Sequence, residues 1–189
     1  MNQRDRAVTP VISTILMVAI VIVLAATISV FFLGATEDIN EPAPNVADTT
    51  GEFEVDRPSA SDNQIVRITH LAGDWVAVED IEIIVRASGP GTGLPKETRL
   101  VALPASGSSL NDENIRGDLV TQGSGNDQIV DGSPGVTWSS GDTIQFRINT
   151  GAADFRIDEI NTGPEADTLE VIIVHTPSET IISQNTFTP

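Results

Sequence analysis

Residues 8–33 read Val8-Thr9-Pro10-Val11-Ile12-Ser13-Thr14-Ile15-Leu16-Met17-Val18-Ala19-Ile20-Val21-Ile22-Val23-Leu24-Ala25-Ala26-Thr27-Ile28-Ser29-Val30-Phe31-Phe32-Leu33, with no charge anywhere in the run. A membrane-spanning helix needs about 20 apolar residues, whereas the apolar core of a secretory signal is about 7–15 long. The stretch is therefore a span and not an ordinary signal core. At ~1.5 Å per residue, residues 10–33 give a helix of roughly 36 Å, long enough for the hydrocarbon layer with some tilt. Helix is required despite the many β-branched residues, because a lone strand in lipid leaves its backbone unsatisfied. Thr9 is expected as the N-cap, Pro10 as the first helical residue and Gly34 as the stop.

Outward from the run, Met1-Asn2-Gln3-Arg4-Asp5-Arg6-Ala7 is short, polar and net basic, which holds that end on the cytoplasmic side. A secretory cleavage site would lie beyond the apolar run, where only Gly34-Ala35-Thr36 offers a poor match. The polar segment 35–50, acidic and broken by Pro42 and Pro44, has the chemistry of a linker.

The segment Arg6-Ala7-Val8-Thr9-Pro10-Val11-Ile12-Ser13-Thr14-Ile15-Leu16-Met17-Val18-Ala19-Ile20 resembles the N-terminus of archaeal type IV pilins, those of haloarchaea above all. These share a basic residue, a small residue and then a Pro-Val-Ile…Ile-Leu-Met-Val-Ala order. The resemblance implies that a prepilin peptidase cuts between Ala7 and Val8, with Arg6, Ala7 and Val8 forming the processing site. It implies residues 1–7 as a leader and 8–34 as a helix that serves first as a membrane span and then as filament core. Ile12 occupies the fifth mature position, where bacterial type IV pilins carry glutamate, so no assembly role of that glutamate transfers. Pro10, Ile12, Leu16, Ala19, Val23, Ala25, Ala26 and Ser29 are the residues expected to pack the helix against its copies. Ala25 and Ser29 stand at the small-xxx-small spacing that lets helices approach closely; the plainer expectation is that hydroxyls in the span bond back to their own helix.

Past residue 50 the pattern changes to short alternating runs between turn signals. Strands are expected at 53–55, 64–71, 80–87, 143–149 and 168–175, more weakly at 99–103 and 115–121, with 180–183 as a hairpin partner after the turn at 177–179. The run 168–175 is nearly continuous in apolar residues, which suggests a central strand buried on both faces. The expected class is α+β: a long N-terminal hydrophobic helix, then an antiparallel immunoglobulin-like β-sandwich head over 51–189. The loops at 88–96, 106–113 and 123–135 are rich in Gly, Ser, Asn and Asp and belong on the surface. Residues 66–74, 79–83, 138–143 and 169–178 are loosely similar to strands of haloarchaeal pilin domains.

The 189-residue chain carries a net charge of −17, and all but one of its 27 acids lie beyond Gly34. Such a surface repels phosphate backbones and excludes nucleic acid as a partner. Nine of ten bases are Arg, with Lys96 the sole Lys. This resembles the habit of salt-loving archaea, whose molar salt shortens the Debye length to about 3 Å. No cysteine is present, so disulfides and thiolate metal sites are excluded. Asn149-Thr150-Gly151 and Asn161-Thr162-Gly163 both fail as glycosylation sequons.

Catalytic apparatus is not expected. His70 and His175, the only histidines, stand at strand ends without carboxylates at ligand spacing. Gln122-Gly123-Ser124-Gly125-Asn126-Asp127-Gln128-Ile129 nearly fits one calcium nonapeptide, which works only as stacked copies. Asp112, Glu113, Asp118, Asp127 and Asp131 read as solvated surface, the alternative being a hard cation. Trp75 and Trp138 read as core anchors, the alternative being an exposed adhesive contact. No cofactor is implied. The resemblance implies a homopolymer with identical or related pilins, a prepilin peptidase, an assembly ATPase and a membrane platform protein as partners. It places the subunit in a cell-surface pilus used for adhesion, and in the cell membrane before assembly. An archaellin, a monomeric membrane-anchored binding protein and an exported enzyme are the alternatives.

Overall fold

The computed structural model describes residues 5–35, 42–55, 64–105, 110–122, 136–156 and 163–189. The chain divides into two units, Met1–Asn40 and Glu41–Pro189. The first contains helix α1, Asp5–Ala35. It begins earlier than expected, so Thr9 is not its N-cap and Pro10 is its sixth residue instead of its first. Proline's fixed φ is close to the helical value, so the helix runs through it at the loss of one backbone hydrogen bond. Gly34 likewise sits inside the last turn, since glycine permits a stop without enforcing one.

The second unit is built from ten described strands: β1 (Val46–Val55), β2 (Gln64–Gly73), β3 (Val76–Ala77), β4 (Ile81–Ser88), β5 (Lys96–Leu100), β6 (Ile115–Arg116), β7 (Thr137–Trp138), β8 (Thr143–Ile148), β9 (Thr168–His175) and β10 (Thr180–Phe187). One sheet runs β1-β2-β8, a second runs β10-β9-β4-β5-β6, and β3 pairs with β7. All strand pairings within these sheets are antiparallel. The α+β class holds.

Period-two alternation decides which side chains turn inward. Val66 and Ile68 of β2, Ile144, Phe146 and Ile148 of β8, Ile83 and Val85 of β4, and Leu169, Val171 and Ile173 of β9 are fully buried in one continuous core. β9 is central, between β10 and β4, as expected. Its outward row is only partly covered, however: Ile172 is buried while Glu170 and Val174 are half-buried. Polar neighbours across the outer face are the reason. Glu82, Arg99, Glu97, Arg86 and Glu170 follow one another there as ion pairs of 2.9–3.5 Å.

β1 begins at Val46, well before Phe53, and so takes in residues 46–50, whose composition reads as linker. Asp48 and Gly51 are poor strand formers, but β2 offers a full partner from Gln64 to Gly73, with irregular register between Val46 and Thr49. Gly51 leaves the room that the Phe187 ring of β10 occupies; a Cβ there would lie 2.6 Å from its Cζ. Phe53 of β1 meets Phe155 edge-on at 5.0 Å and Phe187 at 5.8 Å.

The two tryptophans part company. Trp138 is fully buried, and its Nε1 donates to the carbonyl of Asp142 at 3.2 Å. Trp75 is 66 % exposed, which corrects its expected place in the core. It stands in the turn between β2 and β3, just after Gly73, whose φ of +126° is a conformation that favours glycine.

Candidate functional site

Residues Val11–Val30 of α1 form the one described helix long and apolar enough to cross a membrane. Its apolar side chains lie on every side and are open, from Ile12 at 51 % to Val30 at 72 % exposed. A helix apolar all round belongs in lipid or inside a bundle, never in water. At ~100° per residue, Ile12, Leu16, Ala19, Val23 and Ala26 fall within about 40° of one line along the helix. Ala25 and Ser29 fall on another face. Arg6, Ala7, Val8 and Pro10 are all in the N-terminal part of α1. Two hydroxyls turn back to their own helix: Thr14 Oγ1 donates to the Val11 carbonyl at 2.9 Å, and Thr27 Oγ1 to that of Leu24 at 2.8 Å.

Residues 6–47 match the family model described as "Archaeal Type IV pilin, N-terminal". This stretch is similar to the N-terminus of archaeal type IV pilins. That family is a structural one. The match takes in nearly all of α1 and ends in the first residues of β1, so it covers the helix and little of the β body. No curated protein matches the chain.

Elsewhere in the chain the candidate residues separate. His70 is fully buried, tilted against Trp138 with ring centroids 4.8 Å apart, and its Nε2 bonds the Ala72 carbonyl at 3.0 Å. Its Nδ1 has no partner among the described residues. Asp112 is hydrogen-bonded by Gln122 Nε2, whereas Asp118 accepts from Lys96 Nζ at 2.7 Å. These carboxylates thus serve separate partners, and Asp127 and Asp131, with residues 123–129 of the nonapeptide-like segment, lie outside the described residues. Among the described residues, no three His, Asp or Glu side chains could hold a metal ion together.

His175 differs from His70. It lines a surface cavity of about 300 Å³ together with Pro42, Pro44, Asp74, Trp75 and Asp80. Four hydrogen bonds fix its walls. Asn45 N donates to Asp74 Oδ2 at 3.0 Å, and Asp74 N donates back to the Asn45 carbonyl at 3.0 Å. The Asp80 carbonyl accepts from both Thr176 N at 2.8 Å and Thr176 Oγ1 at 3.0 Å. Alternation could not have found this site, because its walls come from turns and from a segment that reads as linker. The signal available was the dipeptide Asp74-Trp75 after a glycine, an aromatic residue placed where a turn keeps it from the core.

Proposed function

We propose that this chain is a structural subunit of an archaeal type IV pilus that serves adhesion. The helix that is apolar and open on every side carries this reading, joined to a match to pilin N-termini. In it, prepilin peptidase cuts between Ala7 and Val8 on the cytoplasmic side, and α1 leaves the bilayer to pack against identical or related subunits. Lipid tails solvate leucine as well as a helix bundle does, so burial alone does not drive that transfer. A cytoplasmic ATPase and a membrane platform protein supply the work. The β body then coats the filament, outside the cell.

Pro10 gives the cut a physical sense. In the uncut helix its missing N–H deprives the Arg6 carbonyl of a partner. A helix that begins at Val8 has Pro10 in its first turn, where no N–H has an intrahelical acceptor and the loss vanishes. For the β body, the order β1-β2-β8 against β10-β9-β4-β5-β6 has the pattern A-B-E against G-F-C-C′-C″ of a variable-type immunoglobulin sandwich, which supports the immunoglobulin-like reading.

The test enlarges the small residues of the main stripe. Ala19→Phe with Ala26→Phe keeps the span apolar, so membrane insertion persists, but blocks close approach of helices. Electron microscopy should show cells without these pili while the subunit accumulates in the membrane fraction. Unchanged pili would contradict packing through this stripe, and filaments that rotate on living cells would assign an archaellin instead.

A further inference from the structure

We propose that the cavity beneath Trp75 is a binding site for a neutral pyranose sugar. This deepens the adhesive part of the reading above and rests on it only for biological context. Three observations converge. Trp75 is 66 % exposed, held at the cavity rim by the turn after Gly73, and an indole offers a flat apolar face beside a polar edge. His175 is only 6 % exposed, and its Nδ1 shares a hydrogen bond of 2.8 Å with Ser178 Oγ. That leaves Nε2 without a hydrogen bond among the described residues, on a residue that lines the cavity. The Asp80 carboxylate has no ion pair among the described residues, and Asp74 has one oxygen engaged by the Asn45 amide.

The chemistry selects the ligand. The lining sets polar residues, Asp74, Asp80 and His175, beside an indole, and among the described residues they form no metal cluster. One face of the ligand must be apolar to lie on the indole, with Pro42 and Pro44 as further apolar wall. A pyranose has this build: an axial C–H face and a rim of hydroxyls that can donate to carboxylates and to an imidazole nitrogen. A volume of about 300 Å³ matches the lower end of small-ligand sites, which take one or two sugar rings. Asp74 and Asp80 in the lining repel an acidic sugar at contact range, where molar salt screens least.

Trp138 is buried, so collisional quenching of tryptophan fluorescence by acrylamide reports on Trp75. The full chain in detergent and molar salt is titrated with methyl glucoside, methyl galactoside, methyl mannoside, cellobiose, glucuronate and choline chloride. At least one neutral sugar should protect Trp75 saturably, with a Kd of about 1 mM and at least about twofold less quenching at saturation. Glucuronate should protect less. Asp80→Asn should weaken protection by about tenfold, the worth of one hydrogen bond to a charged group, and His175→Gln should weaken it too, with unchanged circular dichroism. Protection by choline alone, by no sugar, or equally in both variants would overturn the proposal. Filament formation does not enter this readout, so a negative result removes the sugar site and leaves the pilin reading standing. Sugar binding by a chain that never polymerises would do the reverse.

Discussion

Asp154 is fully buried, and its carboxylate takes a forked pair of bonds from Arg156: Nε at 2.9 Å and Nη2 at 2.7 Å. Next to it, the buried amide of Gln64 bridges β2 to this segment, donating to the Ala153 carbonyl at 2.9 Å and accepting from Phe155 N at 2.7 Å. Removing one member of a buried charge pair leaves the other in a medium that solvates it poorly. Arg156→Met should therefore cost about 3 kcal/mol, read as a lower urea midpoint of the full chain in detergent. His70 behaves oppositely. Its Nδ1 is buried without a partner among the described residues, so His70→Phe deletes an unsatisfied atom and keeps a ring against Trp138 while giving up the Nε2 bond to the Ala72 carbonyl. The change should cost about 1 kcal/mol in the same measurement, well below the Arg156 substitution. Neither behaviour was legible in the residues themselves. Asp154 and Gln64 look like surface polar residues until the fold closes over them.

Among the elements, the outer face of the five-stranded sheet shows how the acidic composition is used. Glu97 accepts from Arg86 Nε at 2.9 Å and from Arg99 Nε at 3.2 Å. The hydrogen bond from Arg86, then that from Arg99, holds its carboxyl below the ordinary glutamate range, and the same bond raises Arg86. A depressed carboxyl contributes stability that is complete above the unfolded-state pKa and disappears as pH falls through the lower folded-state pKa. Glu97→Gln should flatten the acid limb of the stability profile, measured as urea midpoints from neutral to acid pH. Because the pair is solvent-exposed, the effect should be only a few tenths of a kcal/mol, and less in molar salt. The long strands of the two larger sheets were readable from alternation, since Ile81, Ile83 and Val85 of β4 and Ile144, Phe146 and Ile148 of β8 have one face to bury. β3 and β7, two residues each, have no period to read, and β1 hides in polar sequence because its partner strand decides its conformation. The cavity around Trp75 was missed for the same reason: it is made of turns. In α1 the composition was sufficient to identify a span, whereas the start at Asp5 was not, because helix passes through Pro10.

For the whole molecule, two opposed requirements meet in one chain: a span that water cannot tolerate and a β body carrying nearly all of the −17 charge. Repulsion among those acids is screened when the Debye length falls to about 3 Å in molar salt. Thermal unfolding of the full chain in detergent should move to higher temperature as sodium chloride rises toward that range. A midpoint that falls or stays flat would remove the case for a salt-adapted surface. The central claim is that α1 is kept, trimmed and polymerised. Mass spectrometry of filaments sheared from the cell surface tests it most directly. The account predicts this subunit in the filament fraction with Val8 as its first residue; a subunit that retains Met1–Ala7, or one found only as single molecules in the membrane, would contradict it.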